Sequence, residues 1–440
     1  MACTPVGLRE TIAAATLRAV RVLILSWEYP PRVVGGLGRH VHALTRNLAA
    51  QGHEVHVVTR DHPDAPVEET VDGIHVVRVT EAPPVMTFDT ELVQWVLAFN
   101  NRVQSAATRL MLDHDIEVIH AHDWLVAYAA AGIKDAFGVP LVATVHATEY
   151  GRHQGWLPGR MNKLIHQVEW WLTYEARRVI TCSHYMSEQV NDIFQLPLEK
   201  VDVVPNAVEV ADFTVDPTEV AEFRAQFTPN GEQMVLFAGR LEYEKGVQTV
   251  LQALEKVEAA AGPVVFAIAG VGTYSDELRK MVDELGITDR VRFTGFLEDH
   301  DLRLHYAAAD VAVAPSIYEP FGLVAVEAMA CGTPVVVGDT GGLREIVDGG
   351  HGLVFPPQDA DELAARLVEV LSDASLAEQL VRKGTARASS SFHWDAVASR
   401  TVEVYEQAIR EEAALDGGVD PRTPLRLLLR ESDILGLETA

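Results

Sequence analysis

Four charged side chains in the second half of this 440-residue chain have the types and spacing to handle phosphate and sugar. Arg240 and Lys245 stand in Gly239-Arg240-Leu241-Glu242-Tyr243-Glu244-Lys245-Gly246, just after an apolar stretch, 234–238, that reads as a strand. An arginine fork, a mobile ammonium and glycines at a strand-to-helix junction suit a bound diphosphate. Glu319 and Glu327 stand in Glu319-Pro320-Phe321-Gly322-Leu323-Val324-Ala325-Val326-Glu327. Glu327 interrupts the apolar run 323–331, and a buried carboxylate is costly unless something satisfies it. Sugar hydroxyls would satisfy it. Cations for phosphate beside carboxylates for hydroxyls imply a site for a nucleotide-sugar. The plainer alternatives are a surface pair between Arg240 and Glu242 or Glu244, and a helix-dipole role for Glu319.

These residues need a frame, and the apolar runs supply one. Segments 22–27, 55–59, 74–79, 118–121, 141–145 and 179–181 read as short buried strands. Helical stretches lie between most of them, the first over about 37–50. After a break at Val204-Pro205-Asn206-Ala207 a second cycle begins, with strands at 235–237, 264–269, 291–293, 311–314 and 334–337. Helices near 247–260, 275–285, 301–308, 323–330 and 360–371 separate these. Such alternation is the mark of parallel α/β sheets. Two Rossmann-like halves joined by one short linker enclose a cleft, and open α/β sheets bind ligands at strand C-termini.

In the first half, Asp123 follows the strand 118–121 and His146 ends the strand 141–145. Asp123 reads equally well as a helix N-cap, and His146 also fits a satisfied core histidine. His120 and His122 are weaker candidates. Gly35-Gly36-Leu37-Gly38 and Thr340-Gly341-Gly342-Leu343 occupy equivalent places in the two halves. Both would bring backbone amides and a helix N-terminus to an anion.

Composition narrows the classes. A formal charge of −27 argues against nucleic acid and against broad adhesion to anionic membrane. Cys3, Cys182 and Cys331 are far apart with no CxxC spacing, and Cys182 and Cys331 suit small buried hydrophobes better than ligands. No apolar run approaches the ~18 residues of a membrane span. Residues 1–19 read as a loose extension too weakly apolar for a signal peptide, so a cytoplasmic location is expected. Residues 415–440 read as a weakly docked tail, with a short amphipathic helix over 425–437 as the alternative. Asp113-His114-Asp115 and Asp299-His300-Asp301 follow no apolar strand and read as scaffold, so no metal is expected. The segment 161–178 carries Lys163, Trp170, Trp171, Arg177 and Arg178, but Glu169 and Glu175 dilute its charge. It reads as a packed helix and not as a membrane-binding one.

Glu319, seven residues and Glu327 resemble the signature of the family-four retaining glycosyltransferases, the group that includes bacterial glycogen synthases. The phrases Ser26-Trp27-Glu28-Tyr29-Pro30-Pro31, Gly35-Gly36-Leu37-Gly38-Arg39-His40, His120-Ala121-His122-Asp123-Trp124 and His146-Ala147-Thr148-Glu149 extend the likeness over about 21–414. It is nearest to actinobacterial glycogen-synthase-like α-1,4-glucosyltransferases. The resemblance implies the GT-B fold. A first domain, 20–207, would face the acceptor, and a helix over 394–414 would cross back to it. A second domain, 208–393, would bind the nucleotide-sugar.

The resemblance also implies roles. Arg240, Lys245, His146 and Glu319 form the catalytic set. Gly35, Gly36, Phe321, Gly322, Leu323, Glu327, Gly341 and Gly342 join Arg240 and Lys245 in holding the donor. Asp123 and His146 lie on the acceptor side. The implied reaction is retaining transfer of glucose from UDP-glucose or ADP-glucose to the non-reducing end of an α-1,4-glucan, with no further cofactor. One position departs from bacterial glycogen synthases, which carry a lysine two residues before the paired glycines. Here it is Val33, beside Arg32. A related hexosyl- or mannosyltransferase with a lipid or small-molecule acceptor is the first alternative. A non-catalytic nucleotide-binding Rossmann protein is the second, although Gly270-Val271-Gly272 lacks the third glycine of the dinucleotide fingerprint. The donor base, the acceptor length and the oligomeric state stay open.

Overall fold

The computed structural model describes residues 18–33, 35–80 and 91–415. The apolar runs form two sheets. The first contains β1 (Arg21–Leu25), β2 (Glu54–Arg60), β3 (Glu68–Val71), β4 (Ile74–Val79), β5 (Val118–His122), β6 (Leu141–Val145), β7 (Arg178–Thr181) and β8 (Val201–Val203). Their order is β3-β4-β2-β1-β5-β6-β7-β8, and β3 pairs antiparallel with β4. The second contains β9 (Gln233–Ala238), β10 (Val264–Ala269), β11 (Val291–Gly295), β12 (Val311–Ala314), β13 (Val335–Gly338) and β14 (Leu353–Phe355). Its order is β11-β10-β9-β12-β13-β14, and every pair is parallel.

The second sheet is the doubly wound arrangement, and β4-β2-β1-β5-β6-β7 repeats it in the first. Strand order reverses between β1 and β5, and again between β9 and β12. Loops leaving the sheet on either side of a reversal diverge and leave a crevice at the strand C-termini. The topology therefore brings the residues after β1, β5 and β6 together in one half, and those after β9, β12 and β13 in the other. Central strands such as β6 and β10 are buried along their whole length, as helices on both faces require. The short edge strands β3, β8 and β14 escape a reading by apolar runs, because Glu-Glu-Thr-Val and Val-Asp-Val are too short or too polar to stand out.

The helix Trp394–Leu415 packs on the helix Gly36–Ala50 and on β5 and β6. Trp394, Val397, Val402 and Tyr405 join Val22, Ile24, Val41 and Leu44 in one buried cluster. Each such side chain contributes about 1.5–3 kcal/mol on burial, so this is a firm attachment. The helix Ala374–Ser391 has no counterpart in the sequence reading. Its buried positions are Leu380, Gly384 and Ala388, a stripe too small to show as a periodic apolar face.

Where the halves meet, several contacts are polar and specific. Glu345 accepts from the amides of His184 (3.1 Å) and Tyr185 (2.8 Å), so a carboxylate of one half serves the N-terminus of the helix His184–Phe194 in the other. Ser183 Oγ donates to the Pro320 carbonyl at 2.6 Å. Tyr318 is buried across the junction. Its hydroxyl accepts from the Thr148 amide (3.3 Å) and donates to Gln189 Oε1 (3.1 Å). A Cβ at Gly151 would stand 2.3 Å from this ring, so glycine there makes the seat.

Candidate active site

The second-half wall starts where β9 ends. Gly270 and Gly246 have positive φ, and a Cβ at either would strike the Gly239 or Pro315 carbonyl at 1.8 or 1.9 Å. Only glycine lets this turn lie against the exits of β10 and β12. Lys245 is thereby carried to Glu319, with Nζ 2.7 Å from Oε2. Ser316 Oγ donates to the same oxygen at 3.1 Å. The two side chains are only 17% and 12% exposed. Glu319 thus answers a cation, and the helix-dipole alternative does not describe it: the helix Leu323–Ala330 is capped by Gly322. Arg240 is half-exposed and lies 3.5 Å from Glu244, the surface pair raised as its plainer alternative.

Glu327 is not left alone. Tyr306 donates to its Oε2 at 3.0 Å. Burial still raises its carboxyl above the ordinary range, and the Arg39 guanidinium opposes that shift. Gly341 and Gly342 sit against the backbone of the Glu319 turn. A Cβ at Gly341 would fall 1.9 Å from the Glu319 carbonyl, and one at Gly342 would fall 2.5 Å from Phe321 Cα. The Gly342 amide donates to the Glu319 carbonyl at 3.0 Å. Packing alone explains these two glycines, and the same packing sets their loop beside Glu319.

The first-half wall faces this. The Gly35 amide donates to Glu28 Oε2 at 3.1 Å. The helix Gly36–Ala50 has no side-chain cap at its first turn. A Cβ at Gly36 would stand 3.6 Å from Leu323 Cδ1, so the two glycine-bearing walls meet here. Asp123 is not the helix N-cap that the sequence allows. Its side chain makes no capping bond; Oδ1 accepts from the His146 amide at 2.8 Å. Its φ of 59° and ψ of 176° are strained for a residue with a Cβ, and such strain gathers at functional sites. Burial pushes its carboxyl up to about 6.

His146 Nε2 and His122 Nδ1 share a hydrogen bond of 3.0 Å. The His40 ring packs edge-on against His146 at 4.8 Å and rests on Trp394, the first residue of the returning helix. Burial pushes the His146 imidazole down to about 3, so it is a neutral hydrogen-bonding ring at physiological pH. His120 is a satisfied core histidine, bonded to Tyr405 and Thr144 at 2.7 Å each. One ring nitrogen from each of His40, His122 and His146 lies within 4.8 Å of the others.

Glu28, His40, Ser316 and Tyr318 were absent from the sequence-level site. Glu28 and His40 lie inside quoted phrases, but nothing local marks Tyr318, whose hydroxyl has its partners 129 or more residues away. The acidic triplets behave as scaffold. Asp299 begins the helix Asp299–Ala308 and pairs with Arg39 at 3.0 Å, and Asp113 ends the helix Leu92–Asp113. The helix Arg160–Glu175 buries Ile165, Val168 and Leu172 and exposes Trp170 and Tyr174. Among the described residues no helix is long and apolar enough to cross a membrane. The extension 1–17, Cys3 and the segment 425–437 lie outside the described residues.

Residues 34–212 match the family described as Glycosyltransferase Family 4, and residues 219–387 match Glycosyl transferases group 1. A glycogen synthase of Mycobacterium tuberculosis is 38% identical over 92% of this chain and 98% of its own. A D-inositol 3-phosphate glycosyltransferase of Kineococcus radiotolerans is 31% identical over 88% of this chain and 94% of its own. Among solved structures, a sucrose-phosphate synthase of Thermosynechococcus elongatus superposes with a TM-score of 0.77 at 26% identity, over 89% of this chain and 100% of that one. The cleft between two doubly wound sheets, with these relatives over nearly the whole chain, makes the protein a member of this glycosyltransferase family, an enzyme of GT-B architecture.

Proposed function

We propose that this glycosyltransferase moves glucose, with retention, from a nucleotide-diphosphate sugar to the non-reducing end of an α-1,4-glucan in the cytoplasm. The observation that carries this reading is the Lys245–Glu319 pair at 2.7 Å on the donor-side wall. Each partner satisfies the other until a donor enters. The ammonium then turns to the diphosphate and the carboxylate to the sugar hydroxyls. Arg240, half-exposed, is free to swing from Glu244 onto the same phosphates. Charge develops on the leaving phosphate as the glycosidic bond breaks, and preorganised cations stabilise it. The amides of Gly36 and Gly341 add to that field, while those of Gly35 and Gly342 hold Glu28 and the Glu319 carbonyl, and those of Phe321, Gly322 and Leu323 seat the sugar. Glu327 takes the ribose hydroxyls in place of Tyr306. His146, neutral, bonds the 6-hydroxyl edge of the sugar, and Asp123 orients the acceptor side. The acceptor hydroxyl attacks from the face the phosphate leaves, and that phosphate receives its proton.

In this reading residues 20–207 with the helix 394–414 form the acceptor half, and residues 208–393 the donor half. A small-molecule acceptor is the second reading, favoured by the inositol-phosphate relative at 31% and by Val33 in place of the lysine of bacterial glycogen synthases. The test is nucleotide release and product length with UDP-, ADP- and GDP-glucose, offered maltooligosaccharides and inositol 3-phosphate separately. Elongation of the oligosaccharide is the expected result. Turnover only with the inositol acceptor would replace the first reading by the second.

A further inference from the structure

A second group of polar side chains lies at the other end of the first sheet. β2 and β4 are paired so that His56 and His75 stand directly opposite each other near the N-terminal ends of their strands, whereas the cleft opens at the C-terminal ends. His114, the residue after the helix Leu92–Asp113, brings a third imidazole against them, 4.2 Å from His56 and 6.0 Å from His75 between ring centroids. One ring nitrogen of each lies within 4.8 Å of the others.

The hydrogen bonds around this group leave it short of a positive centre. His56 Nε2 is 2.8 Å from Glu54 Oε1, and His75 Nε2 is 3.0 Å from Glu68 Oε1. A carboxylate only accepts, so both Nε2 atoms must donate. A neutral imidazole has one N–H, so both Nδ1 atoms then present lone pairs. Those two Nδ1 atoms face each other at 3.2 Å. The His122–His146 contact of the cleft differs: His122 Nε2 is bound to no carboxylate, and a neutral donor–acceptor pair settles it. Between His56 and His75 either a proton on one ring or a metal ion must settle the contact. A tetrahedral ion with Zn–N bonds of ~2.0–2.1 Å sets two nitrogens about 3.3–3.4 Å apart. Carboxylates on the outer nitrogens are the usual orienting partners of metal-bound histidines.

We propose that His56, His75 and His114, oriented by Glu54 and Glu68, bind a divalent transition-metal ion of the zinc class, remote from the cleft. His56 is buried, while His75 and His114 are 22% and 35% exposed, so an ion and its water have a way in. Three neutral imidazoles with one open position suit zinc, nickel or copper and do not suit magnesium or calcium, which prefer oxygen ligands. The ion would join the outer strands to the end of a long helix, so its effect would fall on stability.

The sequence does not announce this group, because its ligands come from three elements, the first two 19 positions apart. The test uses the untagged full-length chain, stripped with chelator and titrated with zinc chloride, with bound metal counted by mass spectrometry. The wild type should hold one equivalent more than His75→Gln, and zinc should raise the melting temperature of the wild type but not of His75→Gln. Glu68→Gln should keep the site but weaken it by about 10–100-fold. Glucosyl transfer should be the same in all three proteins. Uptake common to the wild type and His75→Gln belongs to other groups. Equal stoichiometry and affinity in those two proteins, or no uptake by the wild type, would overturn the proposal.

Discussion

At the ends of β9 and β12 the polar groups are charged and paired, whereas at the ends of β5 and β6 they are uncharged rings and a strained acid joined by hydrogen bonds. Lys245 and Glu319 form an ion pair at 2.7 Å, and Arg240 leans on Glu244. Across the cleft, burial holds His146 down to about 3 and pushes Asp123 up to about 6. Both walls follow the same strand order. The topology therefore selects where side chains converge, and the residues chosen at those ends select the electrostatics. Cations placed at the ends of β9 and β12 suit a reaction in which negative charge grows on the leaving group. The opposite wall, with the neutral His146 ring and no cation among the residues at the ends of β5 and β6, can bind hydroxyls without competing for the phosphate.

Breaking the charged wall should have the largest effect. Lys245→Ala should lower kcat by about 10²–10³ with a smaller change in donor KM, the usual loss for one preorganised electrostatic donor. Arg240→Ala should act in the same direction towards the lower end, because its side chain is half-exposed. Steady-state kinetics with saturating acceptor checks both, and full kcat with weakened binding would remove them from the leaving-group role. A milder and different change is expected at Glu327. Glu327→Ala should raise donor KM by about tenfold or more with kcat nearly kept, since a ribose contact is ground-state binding. Wild-type KM in that variant would end the ribose assignment.

The opposite wall gives a smaller, pH-dependent signal. The folded carboxyl of Asp123 lies near 6 against a starting value of 3.8. A raised acid adds stability that is present below the unfolded value and lost as pH rises through the folded one. Wild-type melting temperature should therefore fall, relative to Asp123→Asn, as pH climbs from about 4 to about 6. The asparagine keeps an oxygen for the His146 amide. Parallel melting curves across that range would show that Asp123 is not held protonated by its surroundings.

The frame was legible because central strands must be apolar on both faces, and runs such as 141–145 and 264–269 carry that demand openly. The charged wall was legible for the same reason: Arg240, Lys245 and Glu327 interrupt or follow such runs. What stayed hidden depends on contacts between distant segments. Tyr318 seats on Gly151, and Glu345 reaches the amides of His184 and Tyr185. Neither pairing has a local signal in single-sequence periodicity. Asp123 looked like an N-cap because its type and place fit one; its backbone conformation instead turns the side chain to the His146 amide.

The smallest expected effect is also the most direct test: cations that serve the diphosphate as proposed would leave no need for a divalent ion there. The measurement is product formation after exhaustive chelation, and again with Mn²⁺ or Mg²⁺ restored, with His75→Gln assayed beside the wild type to separate the remote histidine group. The expected result is an undiminished rate in chelator and no gain from added metal, in both proteins. Complete loss on chelation, with full recovery on metal, would contradict the role given to Lys245 and Arg240.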